Sequence, residues 1–180
     1  MQEGFSPKQS HSLKSLNTVF SAGSPLKPEL YDFIRDHIKS STFINNGSGG
    51  TDACAAFIGA NPILPVYPGV IQCPMLGMAI ECRDDNGEPV KPGEEGDMVI
   101  TKPFPNMPLG LLGDDEQRTR LRETYFNHYP NQTVWYQGDY SKSCSFGRLR
   151  GHSHLTPLDH ARSVCGSGNK RHYDAGQKRW

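Results

Sequence analysis

A hydroxyl and a carboxylate stand side by side at the end of a glycine-rich stretch, Asn46-Gly47-Ser48-Gly49-Gly50-Thr51-Asp52. Its three glycines can adopt positive φ and allow backbone N–H groups to approach a ligand closely. The Thr51 hydroxyl and the Asp52 carboxylate offer hard oxygen atoms of the kind that Mg²⁺ prefers. The stretch therefore predicts either a loop that handles a metal–phosphate group or a plain Gly-Ser turn that happens to end in Thr-Asp.

The elements around this stretch have the order of an α/β unit. Residues 17–23 have the pattern of a buried strand that runs into a turn, and residues 42–45 that of a second strand. Between them, apolar residues at helical spacing predict an amphipathic helix over residues 29–39. Such an order favours a parallel sheet, whose ligands bind beyond the carboxyl ends of the strands. The turn at residues 22–25 and the loop at residues 47–52 are both expected at those ends.

The sequence changes character after Val70. Proline-rich residues 61–69 cannot form regular structure, and the pair Asn86-Gly87 is typical of a hairpin turn. A charged helix is predicted over residues 114–126, with Leu121 and Tyr125 on one face. These features predict a small antiparallel β subdomain attached to the α/β core. Its predicted strands are residues 78–82, 97–102 and 134–140.

Charge divides the chain near residue 140. Residues 1–140 contain 11 basic and 17 acidic residues, a net charge of −6, whereas residues 141–180 contain 8 and 2, a net charge of +6. The basic segment holds four histidines and two cysteines, but their spacings match no zinc-finger pattern, and few aromatic residues accompany its charge. We expect this tail to be disordered and to bind no nucleic acid.

Length and composition limit the number of domains and the class of protein. A chain of 180 residues suggests one domain, and no apolar run is long enough to span a membrane. Residues 1–16 are polar and lack a periodic pattern, which indicates a partial lead-in rather than a secretory signal. The five cysteines are scattered and odd in number, as in proteins of a reducing cytosol.

Three motifs together resemble the AMP-forming acyl-CoA synthetases of the adenylate-forming superfamily. Within it, Ser-Gly-Gly-Thr-Asp in place of the usual Tyr-Gly-x-Thr-Glu and the Gly-Ser-Pro-Leu turn resemble the acetoacetyl-CoA synthetase family. The resemblance covers about residues 12–140 and implies part of the large N-terminal domain of such an enzyme. The motifs are Phe20-Ser21-Ala22-Gly23-Ser24-Pro25-Leu26, Ser48-Gly49-Gly50-Thr51-Asp52 and Trp135-Tyr136-Gln137-Gly138-Asp139.

The resemblance implies a role for each motif residue. Thr51 would contact the α-phosphate of ATP, Asp52 would bind Mg²⁺ in place of the usual Glu, and Asp139 would accept both ribose hydroxyls. Gly49 and Gly50 replace larger side chains, which would either open space beside the acyl group or remove a stacking partner. The residues implied for the adenine side are Gly23, Ser24 and Pro25, together with Asn46, Gly47, Ser48, Gly49 and Gly50.

The implied reaction joins acetoacetate to coenzyme A at the expense of ATP, through an acyl-adenylate. The family's loop that grips the β- and γ-phosphates and its C-terminal domain have no counterpart in this sequence. We therefore expect a fragment of a ligase that is inactive by itself. The alternative is a non-catalytic nucleotide-binding or interaction protein derived from that family.

Overall fold

A computed structural model describes residues 4–144, with side chains to residue 142, and the backbone of residues 163–169. These residues form a mixed α/β structure with three sheets. The helices are α1 (Pro7–Ser10), α2 (Pro28–Phe33), which continues as a π-helical turn (Ile34–Ile38), and α3 (Thr119–Tyr125). The strands are β1 (Thr18–Ser21), β2 (Phe43–Asn46), β3 (Ser48–Gly50), β4 (Ala55–Gly59), β5 (Val70–Ile71), β6 (Cys73–Pro74), β7 (Ile80–Arg83), β8 (Glu95–Ile100), β9 (Trp135–Cys144) and β10 (Ser163–Asn169).

The predicted strand–helix–strand unit is present. Strands β1 and β2 pair in parallel over four residues, and the helix between them packs Tyr31 and Ile34 against Ile44. Its second half is π-helical, with the Lys39 N–H bonded to the Ile34 carbonyl at 3.0 Å. The prediction of a buried first strand is wrong, because among the described residues β1 pairs only with β2, and Phe20 is 63% exposed.

The glycine-rich stretch is a hairpin rather than an open loop. Strand β3 pairs antiparallel with β4, and the turn between them closes through a hydrogen bond from the Cys54 N–H to the Thr51 carbonyl at 3.0 Å. No glycine of the stretch has positive φ; the left-handed residue of the turn is Cys54, at φ 49°. The predicted loop at residues 47–52 is therefore corrected to a short strand that ends in a turn.

The predicted antiparallel subdomain is a five-stranded sheet in the order β5-β10-β9-β8-β7. The pairing of β8 with β9 shifts at Gly138, because Asp97 faces Tyr140 whereas Val99 faces Tyr136. One residue of β8 thus opposes three residues of β9, and the buried Gly138 adopts φ 81°. This β-bulge turns the end of the Trp135–Asp139 motif toward the β3–β4 hairpin.

Helix α3 is shorter than predicted, because Asp114 holds the chain in a turn before it. The Asp114 carboxylate accepts hydrogen bonds from the N–H groups of Arg120, at 2.9 Å, and Leu121, at 3.0 Å. Partial desolvation alone would raise the pKa of Asp114, but the backbone N–H groups of Arg120, Leu121 and Leu111 outweigh it and lower the pKa. The predicted apolar face is confirmed, since Leu121 and Tyr125 are buried.

Aromatic rings dominate the main core, which lies between the β3–β4 hairpin, α3 and one face of the five-stranded sheet. Trp135 is 1% exposed and stacks on Tyr125, with ring centroids 3.9 Å apart and planes 12° apart. Three further rings pack around the indole: Phe57, Phe104 and Phe126. Trp135 therefore fixes the start of the motif that carries Asp139.

The change of sequence character near residue 140 does not coincide with the end of an element. Strand β9 runs on to Cys144, and β10 pairs with it antiparallel. The remaining residues of the predicted tail lie outside the described part of the chain, so the disorder expected for them stays a prediction. No helix in the described part is long and apolar enough to cross a membrane.

Candidate functional site

The carboxyl ends of the two parallel strands meet at one edge of their sheet. The Gly47 N–H donates a hydrogen bond to the Ser21 carbonyl at 3.0 Å, which joins the two strand ends. The turn that follows β1 is exposed, and Gly23 there adopts φ 88°, a conformation that favours glycine. Gly23, Ser24 and Pro25 thus form an accessible rim next to the β3–β4 hairpin.

A hydrogen bond joins two predicted site residues that are far apart in sequence. The Ser48 hydroxyl donates to Asp139 Oδ2 at 2.8 Å, across 91 positions of the chain. Both side chains are half-buried. Packing between the hairpin and the bulged strand β9 therefore brings the middle and the last predicted motif together at one place.

Gly49 is required by close packing rather than by an unusual backbone conformation, and Gly50 lies against a side chain. A Cβ atom on Gly49 would lie 2.0 Å from the Ala55 carbonyl oxygen, within the paired strand β4. A Cβ atom on Gly50 would lie 3.0 Å from Gln137 Nε2. The Cβ position of Gly49 is thus filled by backbone atoms of β4, whereas that of Gly50 adjoins the end of the Gln137 side chain.

Gln137 lies between the two joined motifs, and the sequence did not single it out. The indole N–H of Trp135 donates to Gln137 Oε1 at 3.0 Å, and the Gln137 amide lies against Gly50. Gln137 and Asp139 contact alternate residues of β3, Gly50 and Ser48. The only sequence signal was the place of Gln137 within the Trp135–Asp139 motif.

Asp52 contacts helix α3 at the end of the hairpin. The Tyr125 hydroxyl donates to Asp52 Oδ2 at 2.5 Å, whereas the neighbouring Thr51 is exposed. Asp52 itself is exposed. A single accessible carboxylate fits Mg²⁺ that retains water and substrate phosphate as its other ligands. Among the described residues, no group of three His, Cys, Asp or Glu side chains could form a complete protein metal site.

Asn46 lies at the edge of the site, and its side chain is directed into the core. Its side chain is buried and Nδ2 donates to the Tyr31 hydroxyl at 3.3 Å, toward the helix rather than toward solvent. Burial raises the pKa of the Tyr31 hydroxyl, against the opposing hydrogen bonds from Asn46 and Gly69. Of the predicted adenine-side residues, Asn46 thus contributes its backbone position rather than an exposed side chain.

A buried carboxylate on the opposite face of the five-stranded sheet has a structural role. Asp97 is 1% exposed, accepts a hydrogen bond from the Tyr129 hydroxyl at 3.1 Å and lies 3.5 Å from His128 Nε2. Burial, followed by the neighbouring charge of Asp97, raises the pKa of Tyr129. These contacts hold the segment after α3 on strand β8, away from the Ser48–Asp139 pair.

A family model described as "AMP-binding enzyme" matches residues 1–110, more than half of the chain. The chain belongs to the AMP-binding enzyme family. The match includes the β1 turn and the β3–β4 hairpin, and similarity to individual relatives extends further along the chain.

Several similar proteins are acetoacetyl-CoA synthetases. This AMP-binding family member is 43% identical over 141 residues to the Gallus gallus enzyme and 44% identical over 140 residues to the Xenopus tropicalis enzyme, in each case over 78% of this chain and 20% of the relative. The acetoacetyl-coenzyme A synthetase of Rhizobium meliloti is 39% identical over 146 residues, which cover 81% of this chain and 22% of that protein. The chain therefore spans about a fifth of the length of these relatives.

Solved structures agree with this family assignment. The acetoacetyl-CoA synthetase from Streptomyces lividans superposes with a TM-score of 0.72 at 32% identity, over 92% of this chain and 23% of that structure. An anthranilate CoA ligase, AuaEII, in complex with anthranoyl-AMP superposes with a TM-score of 0.61 at 24% identity, which supports the fold alone. The predicted fold class, part of the large domain of an adenylate-forming enzyme, is confirmed.

Proposed function

We propose that the chain forms the adenine, ribose and α-phosphate side of the active site of an acetoacetate–CoA ligase. The observation that carries this proposal is the contact of Ser48 with Asp139, at 2.8 Å. It unites a carboxylate suited to two hydroxyl donors with the hairpin that ends in Thr51 and Asp52. The similarity to acetoacetyl-CoA synthetases supports acetoacetate as the acid.

In this proposal, each side chain acts on a different part of the nucleotide. Asp139 accepts hydrogen bonds from the ribose hydroxyls, and the donor Ser48 keeps its carboxylate oriented. The exposed Thr51 hydroxyl donates to a non-bridging oxygen of the α-phosphate. The rim at residues 23–25 and the backbone of the hairpin enclose the adenine.

Asp52 is the proposed Mg²⁺ ligand, with Tyr125 holding its carboxylate in place. When bound, the ion would offset the negative charge that develops as pyrophosphate leaves. The Asp52 side chain is one methylene shorter than the Glu that the family usually has here. A water molecule between carboxylate and ion would compensate for that difference.

The proposed reaction has two halves. The carboxylate oxygen of acetoacetate attacks the α-phosphorus of ATP, and pyrophosphate leaves with the electron pair of the broken P–O bond. The thiolate of coenzyme A then attacks the acyl carbon, and AMP leaves, which gives acetoacetyl-CoA. The residues of this chain bind and orient the adenylate in both halves. The cytosolic location stays a prediction from the cysteine content.

Calorimetric titration of the purified chain with AMP tests the binding part of the proposal. We expect the wild type to bind AMP and Asp139→Asn to bind it about tenfold or more weakly, because an amide replaces the charged acceptor of the ribose hydroxyls. Asp32→Asn, which changes an exposed carboxylate on α2, is the matched control and is expected to bind AMP like the wild type. A wild-type chain that binds no AMP would refute the proposal.

Pyrophosphate release separates the ligase from the non-catalytic alternative. We expect negligible acetoacetate-dependent release from the isolated chain, since it spans about a fifth of the length of the acetoacetyl-CoA synthetases that it resembles. Robust release would refute that expectation. AMP binding by the longest natural product of the gene, without adenylate formation, would instead favour a nucleotide-binding protein without ligase activity.

A further inference from the structure

Side chains of β9 contact residues of β3 in a short row along the candidate site. Ser48 lies against Asp139, and two residues further along β3, Gly50 lies against the Gln137 amide. Thr51 follows at the end of this row, where the hairpin turns. The row therefore runs from the carboxylate proposed for the ribose to the hydroxyl proposed for the α-phosphate, with Gln137 between them.

The indole of Trp135 determines how the Gln137 amide is oriented. The indole N–H is a donor only, so the amide atom 3.0 Å from it must be the carbonyl oxygen Oε1. The amino group Nε2 is then the end of the amide left for another partner, and the whole amide lies beside Gly50. Nε2 has no hydrogen-bond acceptor among the described residues, and Gln137 is half-buried, so the two N–H groups of the amide lack a protein partner there.

Gly50 keeps this donor accessible. A Cβ atom at that position would lie 3.0 Å from Nε2 and 3.1 Å from Oε1 of Gln137, closer than ordinary van der Waals contact. Any larger residue would push the amide aside or cover it. The absence of a side chain at Gly50 and the anchoring of Oε1 by Trp135 together present the amide to a ligand.

We propose that Gln137 is a further binding residue of the nucleotide site, whose Nε2 donates a hydrogen bond to a non-bridging oxygen of the α-phosphate. This inference rests on the proposed function. A neutral amide donor suits an anionic oxygen, because hydrogen bonds to charged groups are stronger than those between neutral groups. Its position between Asp139 and Thr51 places it where the ribose joins the phosphate.

Titration of the full chain with AMP and with adenosine tests the assignment. Gln137→Leu removes both amide groups, whereas Gln137→Glu keeps an acceptor for Trp135 and replaces the donor with a carboxylate oxygen. We expect both variants to bind AMP about tenfold or more weakly, Gln137→Glu most of all because of charge repulsion, and to bind adenosine like the wild type. Unchanged adenosine binding also reports that each variant is folded.

The outcomes distinguish this inference from the proposed function. An unchanged ratio of AMP to adenosine affinity in Gln137→Leu would overturn the role of Gln137, whereas the wild-type site would stand. A wild-type chain that binds neither ligand would overturn the proposed function and this inference together. Gly50→Ala gives an independent check: we expect it to weaken AMP binding more than adenosine binding, because its Cβ displaces Nε2. Equal loss for both ligands would count against the inference.

Discussion

Replacement of Gly49 by alanine tests whether the glycine-rich stretch is a packed hairpin or a flexible loop. The new Cβ atom would lie 2.0 Å from the Ala55 carbonyl oxygen and 2.6 Å from the Ala56 Cα atom. Ordinary carbon–oxygen contacts begin at about 3.3 Å, so the two strands would have to separate by roughly 1.3 Å. Inter-strand hydrogen bonds of about 2.9 Å would then exceed hydrogen-bonding distance.

The loss of this strand pairing lowers the free energy of unfolding. Overpacking of this kind typically costs about 1–3 kcal/mol, and for a chain of this size 1 kcal/mol lowers Tm by roughly 2–4 °C. We therefore expect Gly49→Ala to lower Tm by about 2–12 °C in thermal unfolding followed by circular dichroism. AMP binding should weaken as well, because Ser48 and Gly50 lie on either side of the displaced residue.

Gly110→Ala is the matched control. A Cβ atom added to Gly110 would meet no atom within 4 Å, and Gly110 has no positive φ, so the same chemical change meets open space. We expect its effect to stay within about 0.5 kcal/mol. A Gly49→Ala variant that melts within about 1 °C of the wild type and binds AMP equally well would refute the close approach of the two strands.

Three further changes probe the elements that support the site. Tyr125→Phe keeps the stack on Trp135 but removes the hydrogen bond to Asp52. We expect it to lower the free energy of unfolding in urea by about 1 kcal/mol, and to have no effect in an Asp52→Ala background. Trp135→Ala empties the centre of the aromatic core and should cost about 3–5 kcal/mol; a cost below about 1 kcal/mol would contradict that packing. The pKa of Asp114 is lowered in the folded state, so its stabilising contribution is present above its ordinary value of 3.8 and is lost as pH falls through the lower folded value. Asp114→Asn should therefore lower Tm near neutral pH, but its Tm should fall less on acidification than that of the wild type. Equal losses of Tm in the two proteins would contradict a lowered pKa of Asp114.

Much of the fold could be predicted because local pattern and tertiary structure agree there. Apolar residues at helical spacing predicted the helix between the parallel strands, and Asn86-Gly87 predicted the turn after β7. Tyr31, the most buried residue of that helix, was missed because a tyrosine carries a polar hydroxyl that gives no sign of its partner, Asn46. The start of α3 was misplaced because Asp114 satisfies backbone N–H groups in a turn that resembles a helical turn in sequence.

The sequence by itself determined the residue types of the site and their order along the chain. Three separated motifs indicated an AMP-binding family through their resemblance, in order and residue type, to known members of that family. Only the tertiary structure decided how those motifs meet. The contact of Ser48 with Asp139 and the position of Gln137 beside Gly50 depend on the bulge at Gly138 and on the packing of a hairpin against β9. Such long-range contacts follow from side-chain packing between distant segments, which no local pattern of residues encodes.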